Sequence, residues 1–198
     1  MNQNQSKTTL YTNDEIALIV PILTKGGSIL YPTDTIWGIG CDACNVKSVD
    51  NIFKLKQTQK DKGLVLLVSD NEMLHQYVNR VHPKIQNLLD YHTRPVTVVY
   101  ENAKNLPEEV ISNDGSIAIR IVQDIFCQEM IRALGRPIVS TTANISTHPV
   151  PKNFKDIDTT IINGVDYVVK HRQDEVTNNL PSVMVKLSAK NELDFIRR

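Results

Sequence analysis

The segment from Ser28 to Ala43 constrains the fold of this chain more than any other. An apolar β-type run, Ser28-Ile29-Leu30-Tyr31, stops at Pro32, and Thr33-Asp34-Thr35 follows at once. A second apolar run then leads through Ile36 and Trp37 into Gly38-Ile39-Gly40. Strands that end in small hydroxyl and carboxylate side chains present hydrogen-bonding groups at the edge where open α/β sheets hold their ligands. The two glycines are spaced to let a ligand approach the backbone closely. The alternative reading is a strand, a turn and a second strand with ordinary turn chemistry.

Other segments extend the pattern. Asn13 is placed to cap a helix with Asp14 and Glu15 in its first turn, and Gly26-Gly27 to close it. Pro21 is expected to kink or interrupt that helix. Val46, Val49, Ile52 and Phe53 fall on one face of a second helix. Leu64 to Val68 is a continuous apolar run, the signature of a strand buried on both faces. Short helices are expected from Asn71 to Val78 and from Pro83 to Leu89, then a strand from Val96 to Tyr100. Ser116 to Ile121 alternates as a strand, with Arg120 on the face opposite the isoleucines. Asp124 to Leu134 reads as a helix closed by Gly135. A strand from Pro137 to Ser140 then enters the polar turn Thr141-Thr142-Ala143-Asn144. Late strands are expected at Tyr167–Val169, Val183–Leu187 and Leu193–Ile196. No repeat or linker divides the chain, so the pattern describes one α/β domain with a twisted mixed sheet flanked by helices, over residues 13–198, after a flexible tail over 1–12.

Bulk properties exclude several function classes. At 198 residues, 41% hydrophobic and 22% charged, the chain can bury one substantial core. Its net charge of zero supplies no global field for nucleic acid. A local lysine excess from Lys47 to Lys62 reads first as a solvated helix face. The first nine residues lack the apolar core of a signal peptide. The apolar run from Ile16 to Leu23 is too short to span a bilayer, so a cytoplasmic protein without a membrane partner is expected. Cys41 and Cys44 have redox-pair spacing, but no second ligand pair accompanies them, and no protein metal site is expected.

Five segments, in order, resemble the YrdC-like family, whose clearest members are threonylcarbamoyl-AMP synthases. They are Ser28–Ala43; the lysine-bearing Leu55-Lys56-Gln57-Thr58 to Leu64; Ser116 to Arg120; Ser140-Thr141-Thr142-Ala143-Asn144-Ile145-Ser146; and Pro181-Ser182-Val183 with the terminal Ile196-Arg197. The resemblance implies a single YrdC-like domain with a concave basic cleft. It implies condensation of L-threonine, bicarbonate and ATP to threonylcarbamoyl-AMP and pyrophosphate, with Mg²⁺ accompanying ATP. By position, Thr33, Arg120, Thr142 and Ser182 would bind threonine, Lys56 would be catalytic on the phosphates, and Ser116, Asn144 and Arg197 would join Lys56 on ATP. Implied partners are tRNA or double-stranded RNA and the proteins that transfer the threonylcarbamoyl group to tRNA.

This sequence departs from the family pattern at several points. Thr58 stands where relatives carry an arginine, with Arg94 or Lys60 as potential substitutes. Thr93-Arg94-Pro95 replaces a Pro-Gly-Pro, Thr147 replaces a glycine, and Trp37 replaces a tyrosine. These departures keep two alternatives open. One is an RNA-binding relative with reduced or no adenylation. The other is an enzyme that passes a carbamoyl adenylate to another acceptor.

Overall fold

The computed structural model describes residues 15–58, 64–176 and 180–197. The expected tail over 1–12, the Asn13 cap and Lys60 therefore lie outside the described residues. Helix α1 is described over 15–24, and Pro21 does not interrupt it. Ile16, Ile19 and Leu23 all face the core, at 7% exposure or less. That burial outweighs the one backbone bond the proline removes. The helix closes where Gly26 takes a left-handed φ of 89°. The Gly27 N–H then reaches back to the Ile22 carbonyl at 2.9 Å.

Strand β1 (Ser28–Tyr31) and β2 (Gly38–Cys41) form an antiparallel pair across the Pro32–Trp37 turn. Helix α2 (Val46–Leu55) follows, capped by the Asn45 side chain on the Ser48 N–H at 3.2 Å. Its inner face is Val49, Ile52 and Phe53, while Val46 is 37% exposed and stands off the core, contrary to the periodicity reading. Strand β3 (Val65–Val68), helices α3 (Asn71–Tyr77) and α4 (Pro83–Tyr91), and strands β4 (Val96–Tyr100) and β5 (Ile117–Ile121) come next. Helix α5 (Ile125–Leu134) is capped by Asp124 and closed by a left-handed Gly135. Strand β6 (Ile138–Thr142) runs two residues further than expected, because Thr141 and Thr142 pair with Ile39 and Gly38 of β2. Helix α6 (Thr159–Gly164), β7 (Tyr167–Val168), β8 (Val183–Leu187) and β9 (Leu193–Arg197) complete the chain.

The strands form one mixed sheet in the order β7-β1-β2-β6-β3-β5-β4-β8-β9. Its register sorts side chains by face. Gly38, Thr142, Ser140, Val65, Ala118, Arg120 and Thr97 are linked pair by pair across five strands, so they share one face. Ile39, Val139, Leu66, Ile119 and Val98 occupy the opposite face and are buried to 2% exposure or less. One face of the sheet is thus built for packing. The other is lined along its middle by small and polar residues, and that leaves room for a cleft.

Candidate functional site

The cleft has a volume of about 440 Å³, within the range of small-molecule sites. Its floor and walls come from distant parts of the chain. The β1–β2 turn gives Thr35, Ile36 and Trp37, β3 gives Val65, β5 gives Arg120, and β6 gives Ser140 to Thr142. The rim is Val150 to Lys152, Leu180 to Ser182, and Arg197. Among the described residues, every charged residue of the lining is a cation: Arg120, Lys152 and Arg197. Among the same residues the lining holds no carboxylate, and no cluster of three His, Cys, Asp or Glu side chains could hold a metal ion.

The Thr33–Asp34–Thr35 turn holds Arg120 from beneath. The Thr33 hydroxyl donates to the Ile36 carbonyl at 2.8 Å and accepts the Thr35 N–H at 3.0 Å. With its proton so placed, Thr33 accepts from the Thr35 hydroxyl at 2.9 Å. Thr35 in turn accepts from Arg120 Nη1 at 3.1 Å. Asp34 Oδ1 lies 3.1 Å from Arg120 Nη2, with both side chains at 7% exposure or less. Thr33 is therefore closed inside the turn, and its neighbour Thr35 faces the cleft. The spacing of the motif was legible, but which of its threonines faces the cavity depends on how the turn closes.

At the far wall, Ser182 shares a 2.7 Å hydrogen bond with Thr97. It also accepts from Arg197 Nη2 at 3.1 Å, and Arg197 Nε donates to its carbonyl at 2.9 Å. Burial, and then the positive charge of nearby Arg120, hold the Arg197 pKa below its ordinary value. Two guanidinium groups therefore converge on one cavity, an arrangement that an anion would relieve.

Lys56 departs from its expected position. Its ammonium donates to the Thr142 carbonyl at 2.5 Å and the Asn144 carbonyl at 2.7 Å, and lies 3.4 Å from the Thr142 hydroxyl. Its own carbonyl accepts the Ser146 N–H at 3.1 Å. The side chain is 5% exposed and is not part of the lining, and desolvation pulls its pKa down to about 8. Lys56 braces the turn after β6 instead of reaching into the cleft.

Asn144 is similarly occupied. Its side-chain oxygen accepts from Thr142 Oγ1, and its amide nitrogen donates to the His148 carbonyl at 2.7 Å. It opens on a separate depression of about 310 Å³, shared with His148 and Asp158 and divided from the cleft by Val150 to Lys152. Ser116 stands apart altogether. It precedes β5 at the end away from Arg120, and its hydroxyl is bonded to Asp114 at 2.6 Å. Arg94 is not part of the lining either. The structure thus brings Arg120, Thr142, Ser182 and Arg197 together on the cleft. Thr33, Lys56 and Asn144 stand behind it, and Ser116 is elsewhere.

Sequence reasoning missed Thr35 and Lys152 as cleft residues. Lys152 carried no signal, since only the return of its loop brings it beside the arginines. Gly40 also differs from expectation. A Cβ there would lie 2.7 Å from the Tyr31 ring, so that glycine makes room for an aromatic side chain, whereas Gly38 does line the cleft. Cys41 is fully buried and Cys44 partly so, and burial raises both thiols above their ordinary pKa.

A mixed sheet with a cleft over its polar face, whose charged lining residues among those described are all cations, defines a domain suited to anionic small molecules. The chain belongs to the Sua5/YciO/YrdC family, whose model, described as "Telomere recombination", matches residues 21–198. It is 31% identical over 158 residues to a threonylcarbamoyl-AMP synthase of Stenotrophomonas maltophilia, covering 76% of this chain and 82% of that one. It is 30% identical over 147 residues to the Escherichia coli protein of the same name, covering 73% and 77%. Among solved structures it resembles E. coli YciO with a TM-score of 0.79 at 22% identity, covering 92% of this chain and 88% of that one. It also resembles P. abyssi Sua5 complexed with L-threonine, with a TM-score of 0.80 at 21% identity, covering 87% of this chain. It spans about half the length of that Sua5 chain. At these identities the structures establish the fold.

Proposed function

We propose that this protein is an L-threonylcarbamoyladenylate synthase, condensing L-threonine, bicarbonate and MgATP. The observation that carries this reading is the cleft lined by Arg120, Lys152 and Arg197, with no carboxylate in the lining among the described residues. The names of the bacterial relatives, at about 30% identity, agree with it.

In the reaction, the threonine amine bonds to the carbon of bicarbonate, a C–O bond breaks and water leaves, giving a carbamate that is already an anion at the attacking oxygen. That oxygen forms a bond to the α-phosphorus of ATP, the bond to the β-phosphate oxygen breaks, and pyrophosphate leaves. No general base is needed at this step. The protein must bring two anions together and stabilise the charge that develops on the phosphates.

Arg120 is assigned to the threonine carboxylate, with the Thr35, Thr142 and Ser182 hydroxyls around it. Lys152 and Arg197, on the rim, are assigned to the phosphates. Lys152 makes no hydrogen bond or ion pair among the described residues, and so its charge is available to a ligand. It supplies the cation that Thr58 does not. Lys56 and Asn144 hold the turn that presents Thr142. Magnesium is assigned to the substrate complex, held by the phosphate oxygens of ATP.

No helix among the described residues is long and apolar enough to cross a membrane. A cytoplasmic setting suits an ATP-dependent reaction whose adenylate is passed to the proteins that modify tRNA. To test the function, purified protein is incubated with MgATP, bicarbonate and threonine. Mass spectrometry should detect the threonylcarbamoyl adenylate, with pyrophosphate release that requires threonine. Pyrophosphate released equally without threonine would refute the assignment.

A further inference from the structure

The pair formed by Arg120 and Asp34 is unusual for a buried ion pair in how little of the guanidinium it uses. Arginine has five N–H groups in a planar fork. The structure commits one, on Nη1, to Thr35 Oγ1 at 3.1 Å, while Asp34 Oδ1 stands 3.1 Å from Nη2 as an ion pair without the geometry of a hydrogen bond. The other carboxylate oxygen of Asp34 is turned away and accepts the Gln123 N–H at 2.9 Å, just beyond the end of β5. The contact is therefore one-pronged, where an arginine and a carboxylate commonly meet through two parallel bonds. Four guanidinium protons make no hydrogen bond among the described residues, and Nε is buried.

A pair whose only purpose was stability would be a poor choice here. A buried ion pair often contributes no more than well-packed hydrophobic residues of similar volume. A two-pronged pair would also withdraw a further N–H of the fork from any ligand. The observed pairing instead fixes the guanidinium at two corners and leaves it on the wall of the cleft. The Gln123 bond fixes Asp34 in turn, by tying the β1–β2 turn to the strand that carries Arg120.

We infer that Asp34 is a positioning residue: it holds the Arg120 guanidinium by one nitrogen so that the remaining N–H groups face the carboxylate of the amino-acid substrate. The inference rests on the functional reading above and deepens it. Asp34 also sets an upper limit on affinity, because its negative charge offsets part of the attraction that a ligand carboxylate experiences. Rigid orientation is gained in exchange, and orientation governs the rate of a two-substrate reaction.

The test uses titration calorimetry on the whole protein with L-threonine and, separately, with MgATP. Asp34→Asn should lower threonine affinity about tenfold or more and leave MgATP affinity within about twofold. In an Arg120→Ala background, the same Asp34→Asn change should alter threonine affinity by less than about twofold, because the group it aims is gone. Equal losses in both backgrounds would show that Asp34 acts through the fold and would overturn the inference.

Asp34→Asn leaves a buried arginine without its counter-charge, so Asp34→Glu serves as the second variant. It keeps the charge and moves the carboxylate by one methylene. It should fold, as read by circular dichroism, and still bind threonine several-fold more weakly than wild type. Failure of Asp34→Glu to fold would also overturn the inference, since the residue would then be required for the fold itself. Wild-type protein that binds no threonine would overturn the functional reading and this assignment together. Wild type that binds threonine, with both variants binding it equally well, would overturn the Asp34 assignment alone.

Discussion

Replacing Lys56 by methionine gives the clearest test of whether this lysine braces the turn after β6 or reaches a ligand. At 5% exposure its ammonium is desolvated, and its pKa falls from 10.5 to about 8. That interval corresponds to roughly 3 kcal/mol of penalty on the charged form in the folded state. Methionine keeps the length of the side chain and removes the penalty, but it deprives the turn of donors. The Thr142 carbonyl still accepts the Asn144 N–H at 2.9 Å. The Asn144 carbonyl has no donor other than Lys56 among the described residues. One abandoned carbonyl costs about 1–3 kcal/mol, so at pH 7 the two effects nearly offset each other and the variant should lie within about 2 kcal/mol of wild type.

The pH dependence separates the readings. Below pH 8 both folded and unfolded chains carry the Lys56 proton, and the penalty is present in full. Between pH 8 and 10.5 the unfolded chain holds a proton that the folded chain has released, so stability rises with pH. Wild type should therefore gain on Lys56→Met by up to about 1.4 kcal/mol per pH unit across that window. Urea denaturation of both proteins at pH 7, 8, 9 and 10 measures the difference. A stability difference that stays flat from pH 7 to 10 would refute the buried-brace assignment. It would place the ammonium in solvent or on the cleft, as the family resemblance alone implied.

Three further outcomes are expected. Arg120→Ala should weaken threonine binding by about 10- to 100-fold and MgATP binding much less, as read by calorimetry, because hydrogen bonds to a charged group are lost. Lys152→Ala should raise the KM for ATP by about tenfold without changing threonine affinity; equal effects on both ligands would show that the loop, and not the charge, is at issue. Cys41→Ser and Cys44→Ser should leave metal content unchanged by mass spectrometry, with Cys41→Ser costing about 1–3 kcal/mol in stability because its hydroxyl enters a fully buried site. Stoichiometric zinc that either substitution abolishes would overturn this view of the pair.

Short-range physics made much of this protein legible in its sequence. The β1 run, the helix that follows Asp124 and the Gly26 and Gly135 stops depend on neighbours within a few residues, and the structure keeps each of them. The apolar run of β3 is likewise kept, with Leu66, Leu67 and Val68 buried, while Val65 opens on the cleft. Helix α1 continues through Pro21 and Val46 stands off the core because tertiary packing, which local pattern does not contain, decides whether a helix runs on past a proline and which of its apolar residues meets the core.

The candidate site divides in the same way. Its residue types could be read from sequence, since a strand end rich in threonine and a strand carrying an arginine need no partners to be recognised. Their roles could not, because direction is a property of contacts. Lys56 is turned onto the carbonyls of Thr142 and Asn144 by a loop 86 to 88 residues further along the chain. Thr33 closes into its own turn, and Thr35 meets an arginine 85 residues away. Lys152 joins the arginines only because its loop returns over the open face of the sheet. Strand runs, the glycine stops of the helices and the inventory of polar groups are readable in the chain, because they follow from local backbone preference and periodicity. Which of those groups face the cleft is set by hydrogen bonds between segments that meet only once the sheet has formed.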